Sequence, residues 1–160
     1  MTDNFIKLEK DNVLRLGIKD SEGNDTGNIL EFDLEDTELL LRYYDLIEKD
    51  KKNRQWLNNQ LIIIKKKEDH RGKKVLSSNE YDILKAYNDF YKKEKEVFDM
   101  FLGQGGVDKL LNGRRLGWTT FNEITKIIKE QIAPKLDITM DKVTDKIKNL
   151  YKDSIEEETI

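Results

Sequence analysis

The chain begins with two stretches in which apolar and polar residues alternate, a pattern typical of half-buried β-strands. The stretches are residues 13–19 and 28–34, and their apolar positions are Leu14, Leu16, Ile18, Leu30, Phe32 and Leu34. Residues 20–27 between them are mostly turn formers. The pattern predicts a β-hairpin with a longish loop. Because a lone hairpin is only marginally stable, it must pack on other elements.

From Asp36 onward the apolar spacing changes to three and four residues, which predicts a long amphipathic helix. Its apolar stripe consists of Leu40, Tyr43, Ile47, Leu57, Leu61 and Ile64. Asp50 and Arg54 lie on the same stripe, so this face is apolar at both ends and charged at its centre. One helix is favoured over two helices broken near residues 51–53. The run 61–64 also fits a buried strand.

A basic, glycine-containing loop over residues 69–76 leads to a second helix. Ser77 and Glu80 have the spacing of a capping box, in which each side chain accepts a hydrogen bond from the other residue's backbone N–H. The stripe that follows is broad and aromatic, and we expect it to form core. Its members are Ile83, Leu84, Tyr87, Phe90, Tyr91, Val97, Phe98 and Phe101. Two helices joined by one loop predict an antiparallel helical hairpin.

In the next part of the chain, glycines are expected at the ends of helices. Gly103, Gly105 and Gly106 are expected to form a structural turn that ends the second helix, because glycine adopts left-handed backbone angles at little steric cost. Residues 107–111 then predict a short helix, which Gly113 ends.

The last third of the chain predicts two further helices separated by Pro134. Thr119 or Thr120 is expected to cap the first, and Pro134 to stop it, because proline lacks an N–H and its ring clashes with the preceding turn. The apolar positions of this helix are Phe121, Ile124, Ile127, Ile128 and Ile132. After Thr139, a final stripe consists of Met140, Val143, Ile147, Leu150 and Tyr151. This stripe is either core, which is favoured, or a docking face for a partner protein.

These patterns predict a mainly α (α+β) fold, with an N-terminal β-hairpin followed by a bundle of amphipathic helices. We expect residues 1–11 to form a flexible N-terminus, 12–134 a single hairpin-plus-helical-bundle domain, and 135–160 a C-terminal helix with a frayed tail. Charged residues make up 38% of the 160 residues and hydrophobic residues 37%, which suits elongated helices with a thin buried stripe.

The composition lacks most of the side chains that carry out chemistry at neutral pH. The chain has no cysteine and a single histidine, His70, so no thiol chemistry and no histidine pair for a metal or a triad is available. No carboxylate pair stands out among the 32 acidic residues. We therefore predict no catalytic, cofactor-binding or metal-binding residue. The protein is expected to bind another protein rather than to act as an enzyme.

Two loops resemble ligand sites but fit them poorly. Four oxygen donors in the hairpin fall at EF-hand-like positions: Asp20, Glu22, Asn24 and Glu31. However, Asp25 stands where a calcium loop requires glycine, and strands rather than helices flank the loop. The glycines at 103–106 resemble part of a phosphate-binding loop. They follow a helical stripe instead of a strand, and no Gly-Lys-Ser/Thr follows, so helix termination is favoured.

The charge distribution gives little support to nucleic acid or membrane binding. With 29 basic and 32 acidic residues, the net charge is -3. The best nucleic-acid candidate is the basic cluster Lys65, Lys66, Lys67, Arg71, Lys73 and Lys74. It contains no aromatic residue, and Glu68 and Asp69 interrupt it, which favours a solvated loop. No secretion signal and no apolar run of ~20 residues is present, so a cytoplasmic location is expected.

Residues 98–113 resemble a motif of the tail assembly chaperones of long-tailed bacteriophages and prophages of Gram-positive bacteria. In that family a helix ending in an aspartate and a bulky apolar pair runs into a Gly-acid-Gly turn, then a short helix, then another glycine. Gln104 replaces the usual acid here. The acid-rich strand that runs straight into a helix at residues 29–44 is similar too.

The resemblance implies a small, mainly helical protein of the bacterial host's cytoplasm that binds the tape-measure protein and recruits tail-tube subunits. It also implies self-association and release as the tube polymerises. Related proteins are often made in two lengths by a translational frameshift, and the resemblance implies that this chain corresponds to the shorter product. The competing interpretation is a nucleic-acid-binding or packaging accessory protein that uses the basic cluster at residues 65–74.

Overall fold

The computed structural model describes residues 4–8 and 12–158. In this part of the chain, an antiparallel hairpin of β1 (Val13–Lys19) and β2 (Asp25–Asp33) precedes the helices. The helices are α1 (Thr37–Lys65), α2 (Ser78–Leu102), α3 (Gly106–Leu111), α4 (Trp118–Ile127) and α5 (Ala133–Glu158), with a π-helical turn at Ile128–Ile132. The predicted α+β class, a hairpin followed by a helical bundle, is confirmed. No helix among the described residues is long and apolar enough to cross a membrane.

The hairpin has a shorter loop than the sequence predicts. β1 has the expected bounds, but β2 already begins at Asp25, which pairs with Lys19. Asp20 shapes the turn, since its Oδ1 accepts hydrogen bonds from the N–H groups of Glu22 and Asn24, each at 2.9 Å. This local carboxylate bonding closes the turn early and lets Asp25 pair with Lys19. The register shifts between this pair and the Gly17–Ile29 pair.

Helix α1 is one unbroken helix, as favoured from the sequence. Asp36 caps it by accepting a hydrogen bond through its side chain, and neither a break near residues 51–53 nor a strand at residues 61–64 occurs. The predicted capping box at the start of α2 is present: Ser77 and Glu80 each accept a hydrogen bond from the other's backbone N–H, at 3.1 Å. Local side-chain chemistry therefore fixes both helix starts.

Helices α1 and α2 form the antiparallel helical hairpin that the sequence predicts. Near the glycine turn, the Nζ atom of Lys49 lies 3.3 Å from Met100 Sδ. At the other end, next to the connecting loop, Lys67 Nζ lies 3.8 Å from Asp82. Contacts of α1 therefore run in the opposite chain order along α2, which places their apolar stripes against each other.

The core lies where the β-hairpin meets α1 and α2, and Phe101 is at its centre. Phe101 is fully buried, its ring stacks on Phe32 at 5.8 Å, and it lies 6.0 Å from Tyr43. The aromatic stripe of α2 was expected to be core along its whole length. Its first two members, Ile83 and Leu84, are instead 38% and 60% exposed. The stripe is therefore core only in its later part.

The glycine turn after α2 has the expected left-handed geometry. Gly103 and Gly105 have φ values of 100° and 76°, and Gly113, after α3, has 87°. Gly106 is required for another reason, since a Cβ atom there would lie 2.6 Å from Leu102 Cβ. A larger residue at this position would push α3 away from the end of α2.

Pro134 does not stop the helix, so that prediction is wrong. Helical backbone runs from residue 118 to residue 158, and the N–H of Ala133 bonds to the carbonyl of Ile128, five residues back. The wider π turn moves the preceding carbonyls away from the proline ring and relieves the clash of a regular α-helix. Leu136, beyond the proline, is fully buried in the same core.

The π turn also keeps successive apolar residues on one side of the helix. These residues follow one another at intervals of four: Ile124, Ile128, Ile132, Leu136 and Met140. In an α-helix of 3.6 residues per turn, each interval of four drifts by about 40° around the axis. A turn that holds an extra residue cancels part of this drift, so what looked like two helices is one helix with a widened turn.

Helix α4 begins earlier than predicted, and neither Thr119 nor Thr120 is its N-cap. Gly117 precedes the first helical residue, Trp118. Thr120 lies in the first turn, where its hydroxyl accepts a hydrogen bond from the Gly117 N–H and donates one to the Arg115 carbonyl, both at 2.8 Å. The threonine therefore ties the preceding loop to the helix.

Candidate functional site

The predicted stripe of α5 divides into an inner and an outer part. Met140 and Val143 are half-buried and pack against the core. Ile147, Leu150 and Tyr151 are 59%, 63% and 68% exposed. The core interpretation therefore holds for the inner part and is wrong for the outer three residues, which face solvent as an apolar strip.

The root of α5 is fixed to α1 by a hydrogen bond and by packing. The Tyr43 hydroxyl donates to Asp137 Oδ1 at 2.7 Å, and Leu136 next to it is fully buried. Burial, followed by the Asp137 carboxylate, raises the pKa of the Tyr43 phenol well above its usual value. The phenol therefore stays protonated and keeps donating. The direction of the outer strip is thus set by the folded core.

The stripe of α5 has the spacing of a coiled-coil seam. Its positions, Leu136, Met140, Val143, Ile147 and Leu150, follow at intervals of four, three, four and three residues. This is the alternation of a and d positions, at which side chains pack as knobs into holes of a facing helix. The protein's own core covers the first three positions. The last two are open to another helix.

The charged centre of the α1 stripe lies over the core as an ion pair. Arg54 Nε is 3.0 Å from both Asp50 carboxylate oxygens. The Arg54 guanidinium lies over the Phe121 ring of α4, 5.4 Å from its centroid. Planar guanidinium groups stack well on aromatic faces, so the pair is held in place from below by the ring.

Glu94 of α2 is a buried acid that the sequence pattern did not reveal as such. It is fully buried, and neither carboxyl oxygen has a hydrogen-bond partner among the described residues. The pKa of Glu94 is raised to about 9, mainly by burial and further by the nearby Asp50 carboxylate. The Arg54 guanidinium acts in the opposite direction and lowers it. Glu94 is therefore protonated at neutral pH. The available signal was its place four residues after Phe90, inside the apolar spacing of α2.

A mostly apolar cleft of about 250 Å³ opens between α1 and the π turn. Its apolar lining comes from Tyr43, Leu46, Ile47, Phe98, Ile128 and Ala133. Asp50 and Arg54 also border it, and the buried Thr125 hydroxyl has no hydrogen-bond partner among the described residues. Lys129 lines the cleft as well. An ion pair, one lysine and one hydroxyl around apolar walls suit the holding of an apolar side chain better than proton transfer.

The structure does not bring the other candidate ligand residues together. Asp20 bonds its own turn, whereas Glu31 lies within β2 and pairs with Arg15 at 3.2 Å. His70 is exposed in the loop between α1 and α2. Within residues 4–8 and 12–158, no group of three or more histidine or acidic side chains is placed to hold a metal ion.

The basic cluster at residues 65–74 is exposed, but acidic neighbours neutralise part of it. Arg71 pairs with Glu80, and Lys67 lies 3.8 Å from Asp82. In the folded chain, Glu80 and Asp82 of α2 therefore lie next to the basic cluster, although they are outside it in the sequence. This arrangement weakens the field that a nucleic acid would experience.

Comparisons of the chain with protein-family models, with curated proteins and with solved structures give no match. The similarity of residues 98–113 to tail assembly chaperones therefore stays a prediction from the sequence.

Proposed function

We propose that the protein holds a helical segment of another protein along the outer strip of α5, which is formed by Ile147, Leu150 and Tyr151. The observation that carries the proposal is one continuous seam whose inner half is built into the core and whose outer half is exposed. A helix laid along this seam would extend the knobs-into-holes packing that the protein begins itself.

The small apolar surface of the strip favours weak, reversible binding. Fully burying a large apolar side chain contributes about 1.5–3 kcal/mol, and these three are already partly covered. Association itself costs at least about 4 kcal/mol in lost freedom of motion. One strip therefore binds weakly, and stable holding needs several copies on one long partner or a further contact. Weak, repeated contacts suit a protein that must later be released.

The partner class follows from the resemblance of residues 98–113. We propose a tail assembly chaperone of a long-tailed bacteriophage or prophage, which binds the tape-measure protein and tail-tube subunits in the cytoplasm of the bacterial host. A tape-measure protein is long and rich in apolar helices, which matches the need for repeated contacts. Self-association of the chaperone along such a partner belongs to the same proposal.

Co-expression with a tape-measure protein of a long-tailed phage, chosen as any such protein encoded near this chain's gene, followed by affinity purification, tests the proposal. We expect the two proteins to purify together, and the double variant Ile147→Ser/Leu150→Ser to lose at least about 90% of the partner, because it removes the two free seam positions.

The matched control is Ile62→Ser/Ile63→Ser on α1. These residues are 45% and 51% exposed, so the control removes similar apolar surface from another helix. It should retain the partner. Absence of any complex with the unchanged protein, when both proteins are soluble, would rule the proposal out. If both double variants lost equal amounts of partner, the α5 strip would have no specific role in binding.

A further inference from the structure

A second groove lies between α2 and the segment that joins α3 to α4. It has a volume of about 550 Å³. Its lining includes four basic residues from two parts of the chain: Lys92, Lys95, Arg114 and Arg115. The sequence spreads these cations over more than twenty positions, so no linear charge run reveals them. The fold brings them to one opening.

Two of the four cations have acidic partners and two do not. Lys95 Nζ lies 2.9 Å from Asp108, and Arg114 lies 3.2 Å from Glu123. Lys92 and Arg115 have no ion-pair partner among the residues that the structure describes. The groove therefore has a local excess of positive charge on a chain whose net charge is -3.

The groove also has an apolar and aromatic side. Leu116 and Tyr91 line it. Tyr91 lies 6.1 Å from Tyr87, whose ring is 5.1 Å from that of Trp118. Trp118 is 64% exposed. An aromatic row thus leads from the groove to a large ring in solvent, and tryptophan and arginine are the residues most often found at the centre of protein interfaces.

We propose that this groove binds a short acidic segment of a protein partner, with carboxylates at Lys92 and Arg115 and an apolar side chain at Trp118. It rests on the proposed function only in taking the partner to be a protein. The contact is separate from the α5 strip and would be one way to supplement the weak binding by that strip.

An acidic peptide fits the groove better than a nucleic acid does. Asp108 and Glu123 stand beside two of the cations and would repel a continuous phosphate backbone. The two unpaired cations form a short site, not a track along which many phosphates could lie. A peptide can place carboxylates only where the cations are and apolar side chains where Leu116 and the aromatic rings are.

Fluorescence anisotropy with defined probes tests the assignment. The main probe is a fluorescein-labelled peptide of about twelve residues in which glutamates alternate with leucines. A peptide with glutamine in place of each glutamate, and a single-stranded DNA of equal charge, are the comparison probes. We expect the acidic peptide to bind most tightly and to weaken as salt rises.

The decisive variant is Lys92→Glu/Arg115→Glu, and its matched control is Lys73→Glu/Lys74→Glu. Both variants reverse two charges on exposed residues, which changes the net charge by four units, but the control lies in the loop between α1 and α2. We expect roughly a tenfold or greater loss of acidic-peptide binding in the groove variant and less than about twofold in the control. Circular dichroism checks that both remain folded.

Three results would overturn the assignment: equal losses in the two charge variants, equal binding of the glutamine peptide, or DNA binding that is tighter and depends on the groove. Acidic-peptide binding by the Ile147→Ser/Leu150→Ser variant should be unchanged. Failure of the groove proposal therefore shows in the peptide assay alone, whereas failure of the α5 proposal shows in co-purification alone.

Discussion

Helices α2 and α5 carry similar apolar stripes but use them in opposite ways. From Phe90 to Phe101, the stripe of α2 lies against α1, α4 and the hairpin, and Phe101 is fully buried. The stripe of α5 packs on the core as far as Val143 and then faces solvent. Apolar spacing shows which face of a helix is suited to packing against another element. It does not show whether that partner belongs to the same chain.

The two stripes also differ in their treatment of charge. The α2 stripe buries Glu94 without a hydrogen-bond partner among the described residues, beside the Asp50–Arg54 pair. No charged residue interrupts the a and d positions of α5 from Leu136 to Leu150. A buried acid lowers the stability of a core but favours one arrangement of the helices, whereas an unbroken apolar seam accepts many helices.

Truncation of one side chain in each stripe should show the difference between α2 and α5 most clearly. Phe101→Ala should lower the free energy of unfolding by about 3–5 kcal/mol, because it removes a ring that contacts Phe32 and Tyr43. Leu150→Ala should change it by less than about 0.5 kcal/mol. Urea denaturation measures both values, and losses of similar size would mean that the outer strip is core after all.

Glu94→Gln tests the buried acid through the pH dependence of stability. The pKa of Glu94 is raised from 4.5 to about 9. Between these values the unfolded chain releases a proton that the folded chain keeps, so stability falls as pH rises. The variant should abolish this slope and be more stable by about 1–3 kcal/mol at pH 8, with no gain at pH 4.

Glu96→Gln is the control for the preceding substitution, since Glu96 is exposed on the same helix. It should leave the pH dependence of urea denaturation unchanged between pH 4 and pH 9. A wild-type protein that becomes more stable as the pH rises from 5 to 9, together with an unaltered slope in Glu94→Gln, would contradict the buried, protonated state.

Tyr43→Phe tests the smallest of the three effects, the anchor at the root of α5. The lost hydrogen bond to Asp137 should cost about 1 kcal/mol or less, because Asp137 is exposed and water replaces the donor. Amide hydrogen exchange should accelerate in residues 135–143 more than in the later part of α2. Uniform acceleration across both helices would show that α5 does not open separately.

Local side-chain chemistry is what the sequence predicts best. The bounds of β1 and the Ser77–Glu80 capping box each depend on residues within a few positions, and both are confirmed. The turn after α2 likewise follows from Gly103 and Gly105, whose left-handed angles need no distant partner.

Features that depend on distant packing are those that the sequence missed. Pro134 is accommodated in a helix by a π turn, and Ile132 and Leu136 on either side of it are both fully buried. That burial depends on the packing of the whole core. Glu94 is buried because α1 covers it. For the α5 stripe, exposure depends on where the bundle ends. The groove at Lys92 and Arg115 arises only when two distant segments meet.

The uninterrupted helix from residue 118 to residue 158 spans about 60 Å at 1.5 Å per residue. Its stretch beyond Val143 is close to the length of about 12–15 residues at which an isolated helix is marginal in water. Starting a helix is the costly step, with a nucleation constant of about 10⁻³, whereas lengthening one is nearly free. The bundle has already supplied the nucleus, so a partner that meets this stretch finds a formed surface and loses little affinity to ordering it.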